Sequence, residues 1–179
     1  MTQIIFLNGP PGCGKDYAGN VLATAPGVQL FKFAAPLKDV VAEITGQTLS
    51  YLEEHKAAVN PFFNVTYRQL MIDVSERWMK PAYGKDIFAR MLLLQMQAAH
   101  FSRAAITDCG FTHEVEHIAN YYGRANCLLL RIHRPNHTFK NDSRSYIAPE
   151  IPSLDLYNRG DETFKDCLLR LVEGFPCSS

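Results

Sequence analysis

The chain is 179 residues long, with 47% hydrophobic and 11% aromatic residues, enough to pack one core and to carry a small insertion. Its 18 Lys and Arg balance its 18 Asp and Glu, so the formal net charge is zero and the long basic footprint of a nucleic-acid-binding protein is excluded. No apolar run reaches the roughly 18 residues of a membrane span, and no signal peptide is read at the start, so a cytoplasmic location is expected.

The first element is a buried strand, Gln3–Asn8, short and rich in Ile and Phe and ended by Gly-Pro. A helix follows from Lys15 to about Thr24, closed by Pro26-Gly27. Gln29–Phe33 reads as a second strand, and Pro36 opens a helix that continues through Leu37–Ile44. Residues 46–65 are mixed and less regular. Thr66–Met79 reads as one helix with Thr66 as its cap, and Lys85–His100 as another. Ala104–Thr107 is the third strand, ending at Asp108; Thr112–Tyr122 is helical; Cys127–Ile132 is the fourth and clearest strand. Pro135–Pro152 is polar and turn-rich, with Asn136, Asn141, Asp142, Ser143 and Ser145. Leu154–Tyr157 is a fifth strand, and a last helix spans about Asp161–Glu173. Strands alternating with helices predict one α/β domain over 1–179 with a mostly parallel sheet. Ligands then bind beyond the C-terminal strand ends, where Gly9–Lys15, Lys32, Asp108, Arg134 and Asn158 converge.

Five cysteines, Cys13, Cys109, Cys127, Cys167 and Cys177, include no C-x-x-C pair, so neither a disulfide framework nor a zinc site is indicated. They read as buried thiols in a reducing compartment. Cys13 is set apart by lying in a Gly loop, where exposure beside a helix N-terminus would lower its pKa.

Gly9-Pro10-Pro11-Gly12-Cys13-Gly14-Lys15 satisfies G-x-x-x-x-G-K. Glycines let the backbone curl its N–H groups around a phosphate, the following helix adds its positive end, and Lys15 adds a point charge for the β- and γ-phosphates. The strand before and the helix after are the context that such a loop requires. The next residue, however, is Asp16 rather than a metal-binding Ser or Thr.

GPPGCGKDY resembles the G-x-P-G-x-G-K-x-[ST] loop of adenylate kinase and related nucleoside monophosphate kinases, and the G-K-D start resembles two groups: the deoxynucleoside monophosphate kinases of tailed phages and animal-type phosphomevalonate kinases. FKFAAPLKDVV resembles the F-A-x-P-L-K segment of the phage enzymes, which places Phe33, Pro36, Leu37 and Lys38. TYRQLMIDVSERWMKPAYGKDIFARML resembles their acceptor region. AAITDCGFTHEVEHI resembles [IV]-[ST]-D-x-R-F-x-N-E, keeping Asp108, Phe111 and Glu114 but carrying Gly110 for the Arg and His113 for the Asn. LLLRIHRPN resembles R-[IV]-x-R-P-G and gives Arg131 and Arg134. The resemblance covers about residues 2–173 and is weakest at 45–65.

It implies a P-loop NTPase fold with a five-stranded sheet, an acceptor-binding insertion at about 38–100 and a lid at about 134–152. ATP is the implied donor, with Mg²⁺ held largely through water and the nucleotide's own oxygens, and a (deoxy)nucleoside monophosphate is the implied acceptor. No nucleic-acid polymer or membrane enters as a partner, and a homodimer is compatible with this reading. Transfer to a monophosphate needs positioning and charge neutralisation rather than a general base. Lys15, Arg131, Arg134 and Arg144 are therefore the expected catalytic cations, the last two from the lid unless they are merely solvated. ATP is expected on Gly9, Pro11, Gly12, Cys13, Gly14, Lys15, Asp16 and Tyr17, and on Asn158 and Gly160 near the adenine. The acceptor is expected at Phe33, Lys38, Arg68, Trp78, Phe88 and Asp108, although a wet helix face or core packing also accounts for several of these. Asp16 and Asp108 are the metal-side carboxylates; Asp108 alternatively caps the helix after Phe111. The rivals are a phosphomevalonate kinase-like acceptor, towards which the aromatic Tyr17 leans, and a nucleotide-binding module without transferase activity.

Overall fold

A computed structural model describes residues 2–140, 142 and 144–174; Asn141, Ser143 and Cys177 lie outside them. In chain order the elements are β1 (Gln3–Asn8), α1 (Lys15–Leu22), β2 (Val28–Phe31), α2 (Ala35–Thr45), α3 (Leu49–Glu54), β3 (Val59–Asn60), β4 (Val65–Thr66) and α4 (Tyr67–Asp73). A π-helical turn (Val74–Met79) leads into α5 (Lys80–Tyr83), followed by α6 (Ile87–Ala98), β5 (Arg103–Ile106), α7 (Thr112–Tyr122), β6 (Cys127–His133), β7 (Ser153–Tyr157) and α8 (Glu162–Gly174).

The opening apolar run becomes the middle strand of a five-stranded sheet ordered β2-β5-β1-β6-β7, in which every neighbouring pair is parallel. β1 is buried along its whole length, as the centre of a parallel sheet covered on both faces must be. Alternation along β1 divides the core. Ile4 and Phe6 face α6 and α7, packing with Leu92, Met96, Val115 and Ile118. Ile5 and Leu7 face α1 and α8, packing with Leu22, Phe164 and Leu168. The chain leaves β1 towards β2 and β5 on one side and returns to β6 and β7 on the other, so a crevice opens at the end of β1 where strand order reverses. A third apolar cluster, including Val41, Leu52, Tyr67, Leu70 and Phe88, lies within the expected insertion.

Several expectations are corrected. The second strand ends at Phe31, not Phe33, because the Asp108 carboxylate accepts from the main-chain N–H of Phe33 at 2.7 Å and of Ala34 at 3.0 Å. These bonds draw the chain out of the sheet just before α2. The stretch 46–65 is not irregular throughout: Thr48 Oγ1 accepts from Tyr51 N–H and starts α3, and a two-stranded hairpin of β3 and β4 follows. The helix expected over Thr66–Met79 does begin at a Thr66 cap, but only seven residues are α-helical before the wider π turn. No helix among the described residues is long and apolar enough to cross a membrane.

Candidate functional site

The loop between β1 and α1 is shaped by close contacts. A Cβ on Gly9 would stand 2.6 Å from both Cys13 Sγ and Ile132 O, so only glycine fits there. Gly14 has φ +105°, the left-handed region, and a Cβ on it would meet Asn158 Nδ2 at 2.5 Å. Lys15 Nζ donates to Gly9 O at 2.6 Å and Pro10 O at 2.9 Å, so the ammonium is held across the mouth of its own loop. Cys13 is corrected: it is fully buried beneath Gly9, and burial raises its thiol pKa despite the nearby Lys15 charge. Cys167 is also corrected, being exposed; Cys109 and Cys127 are buried.

The turn after β7 reaches back to this loop. Asn158 is buried, donates from Nδ2 to Cys13 O at 2.9 Å and accepts at Oδ1 from Gly160 N–H. Arg134 donates to Gly12 O at 2.9 Å, and the His137 ring lies against Gly12. Gly14, Tyr17, Arg134, Asn158 and Gly160, all expected site residues, line one cavity of about 310 Å³ with Asp161 and Glu162. Tyr17 is half-exposed and stacks on Phe164. Gly12 and Pro11 form the exposed rim of the loop.

A second cavity, of about 400 Å³, lies at the ends of β2 and β5 against α4, the π turn and α7. It gathers Phe33, Arg68, Phe88, Asp108 and Arg144 from the residues expected, together with Glu76, Lys80, Gly110, Phe111 and Glu114, which were not among the expected site residues. Asn8, at the end of β1, sets one wall. Its side chain donates to Cys109 O and Ser145 O and accepts from Ile147 N–H, fixing the segment that carries Arg144. Arg144 then lies across Gly110, where a Cβ would come within 2.6 Å of its Cδ, while its guanidinium binds Asp142 at 2.9 and 2.6 Å.

Other expected residues are placed elsewhere. Lys38 pairs with Glu53, and Trp78 is half-exposed and absent from the cavity lining. Arg131 makes a two-pronged bond to Asp155 across β6 and β7, at 3.0 and 2.8 Å. Asp16 accepts from Lys32 at 2.9 Å. Asp108 lines the cavity and accepts the N–H groups of Phe33 and Ala34 just before α2, so it does not cap the helix after Phe111; burial raises its pKa, opposed by the N–H groups of Ala34 and Phe33. Burial, with the Asp108 charge behind it, pushes Glu114 up to about 7. Among the described residues no group of three or more His, Cys, Asp or Glu is placed to hold a metal ion.

No protein-family model and no curated protein matches the chain. Solved structures do. A sugar kinase from Janibacter sp. HTCC2649 superposes with a TM-score of 0.53 at 13% identity, covering 98% of this chain and 94% of that one. A Chloroflexus aurantiacus protein gives 0.52 at 13%, with 98% of each chain covered. The tunicamycin resistance protein of Deinococcus radiodurans gives 0.50 at 12%, again with 98% of each. With the loop and the sheet order, these likenesses establish an α/β P-loop NTPase fold.

Proposed function

We propose that this protein transfers the terminal phosphate of ATP to a (deoxy)nucleoside monophosphate, giving the diphosphate. The observation that carries this reading is the cavity between β2, β5 and α7: Arg68 offers positive charge to an acceptor phosphate, Lys80 and Arg144 stand beside it in pairs with Glu76 and Asp142 that a phosphate would compete for, and Phe33, Phe88 and Phe111 offer flat walls to a base. The kinase fold supports the transferase class.

Lys15 and the loop amides bind and orient the β- and γ-phosphates. The cavity between Tyr17, Asn158 and Gly160 suits the nucleoside end of the donor. Arg134 and Arg144, one on each side of the loop, neutralise charge on the group in transit. Mg²⁺, when bound with ATP, supplies further neutralisation of the phosphates. Asp16 and Asp108 are the residues that would hold it, through water, because Asp16 already meets Lys32 and both Asp108 oxygens accept main-chain N–H bonds.

A second reading keeps the transfer but takes a different phosphorylated acceptor. The carboxylates Glu76, Asp108 and Glu114 favour it, since they make the cavity mixed in charge. ADP release measured with a panel of nucleoside and deoxynucleoside monophosphates and of non-nucleotide phosphates decides between the two. Turnover on at least one nucleotide is expected; turnover confined to the second group overturns the nucleotide reading.

A further inference from the structure

The acceptor cavity contains three carboxylates, and two are already committed. Asp108 accepts two main-chain N–H bonds, and Glu76 accepts from Ser75 Oγ and Lys80 Nζ. The nearby Arg144 guanidinium is taken by Asp142. Glu114 differs. It is 6% exposed and lines the cavity, no described residue bonds or pairs with its carboxyl, and its oxygens are not sealed from water but open onto the cavity. It sits in the first turn of α7, whose Val115 and Ile118 are fully buried, so its backbone is fixed in the core. A helix start gives a carboxylate a favourable field, but a field leaves its lone pairs unmatched. A ligand that fills the cavity displaces the water from this carboxyl and so must bring donors of its own to it.

We infer that Glu114 reads the acceptor, its two carboxylate oxygens receiving adjacent N–H donors on the edge of the base. This rests on the nucleotide reading and deepens it. Among neutral bases, guanine presents two such donors side by side, N1–H and the 2-amino group. Adenine and cytosine set an amino group beside a lone pair, and thymine flanks its single N–H with two carbonyls. A carboxylate is therefore matched by guanine and repelled by part of each other edge, and the protein prefers a guanine monophosphate.

The test uses the full chain and its isosteric variant Glu114→Gln, with Glu114→Asp as a second variant and thermal melts to verify folding. The four deoxynucleoside monophosphates are titrated calorimetrically and then assayed for turnover. Wild type is expected to bind dGMP most tightly. Glu114→Gln is expected to lose at least about tenfold in dGMP affinity and kcat/KM, carried by KM, with the KM for ATP unchanged, because a site built to pair donors discriminates strongly when the pairing is spoiled. Glu114→Asp is expected to lose dGMP affinity in the same way. If wild type binds the four nucleotides without preferring dGMP, or if Glu114→Gln leaves their ranking intact, this assignment is overturned while the nucleotide reading stands. If wild type binds none of the four, both fall.

Discussion

The two halves of the site are built on opposite plans. On the β1–α1 side the chain satisfies itself: Lys15 bonds Gly9 O and Pro10 O, Arg134 bonds Gly12 O and Asn158 bonds Cys13 O. Seven consecutive residues make the cradle, and its polar groups are main chain. On the α7 side, side chains from five separate stretches meet in a cavity that holds both signs of charge and one carboxyl, Glu114, that no described residue bonds. A self-satisfied loop is specific for a chemical group common to many ligands. A cavity with an unmet bonding need is specific for a particular molecule.

The contrast can be broken most sharply at Lys15. Lys15→Ala is expected to lower kcat by about 10²–10³-fold, the scale for losing one preorganised charge-stabilising donor, with the melting curve little changed; a variant of near-normal rate would remove the loop from catalysis. The next effect belongs to the other half. Glu114 binds its proton up to about pH 7 when folded, against an ordinary 4.5. The folded state then holds more protons on this group than the unfolded chain between those values, so its contribution to stability is full below about 4.5 and is lost as pH rises through 7. The loss is at most about 3 kcal/mol. Urea unfolding across this range should show that decline in the wild type and a flatter profile in Glu114→Gln; parallel profiles would show that Glu114 is not held protonated.

Gly110 sharpens the comparison on a smaller scale. Gly110→Ala puts a Cβ 2.6 Å from Arg144 Cδ, and the displaced guanidinium should raise the acceptor KM about tenfold while the ATP KM stays constant. In the double variant with Arg144→Ala the two effects should not add, because the residues touch; additive losses would separate them. The smallest effect is expected at Asp16. Its pair with Lys32 is exposed, so Asp16→Asn should change stability by less than about 1 kcal/mol and leave ATP affinity almost unaltered. A large loss that is relieved by raising Mg²⁺ would place Asp16 in direct contact with the metal rather than behind its water.

How far each half could be read from sequence follows from the same difference. β1, the Gly loop and α1 were legible because strand, turn chemistry and helix are all encoded within about twenty neighbouring residues. The burial of Cys13 was not, since it depends on Sγ lying beneath the bare Cα of Gly9, a contact without a periodic signature. The end of β2 was misplaced because Asp108, 75 positions away from Phe33, competes for its N–H groups. Arg68, Phe88 and Arg144 were picked out by residue type and do reach the cavity, whereas Lys38 and Trp78, no different in type, do not. What separates them is how the different elements that carry them pack, from α2 to the segment before β7. Lys80, Phe111 and Glu114 carry no spacing that marks them as pocket residues; Glu114 on a helix reads as surface until α7 is seen to bury it.

The π turn at Val74–Met79 carries Ser75 and Glu76 into the cavity and delivers the chain to Lys80. Such a turn holds one residue more than an ordinary helix uses over the same rise. Its length is thus a dial with one notch. Deleting a single residue there would close the widening and swing everything downstream by about 100° around the axis, exchanging the side chains presented to the acceptor without touching the sheet. A lineage carrying this fold can exchange the side chains that line this cavity by the loss or gain of one codon.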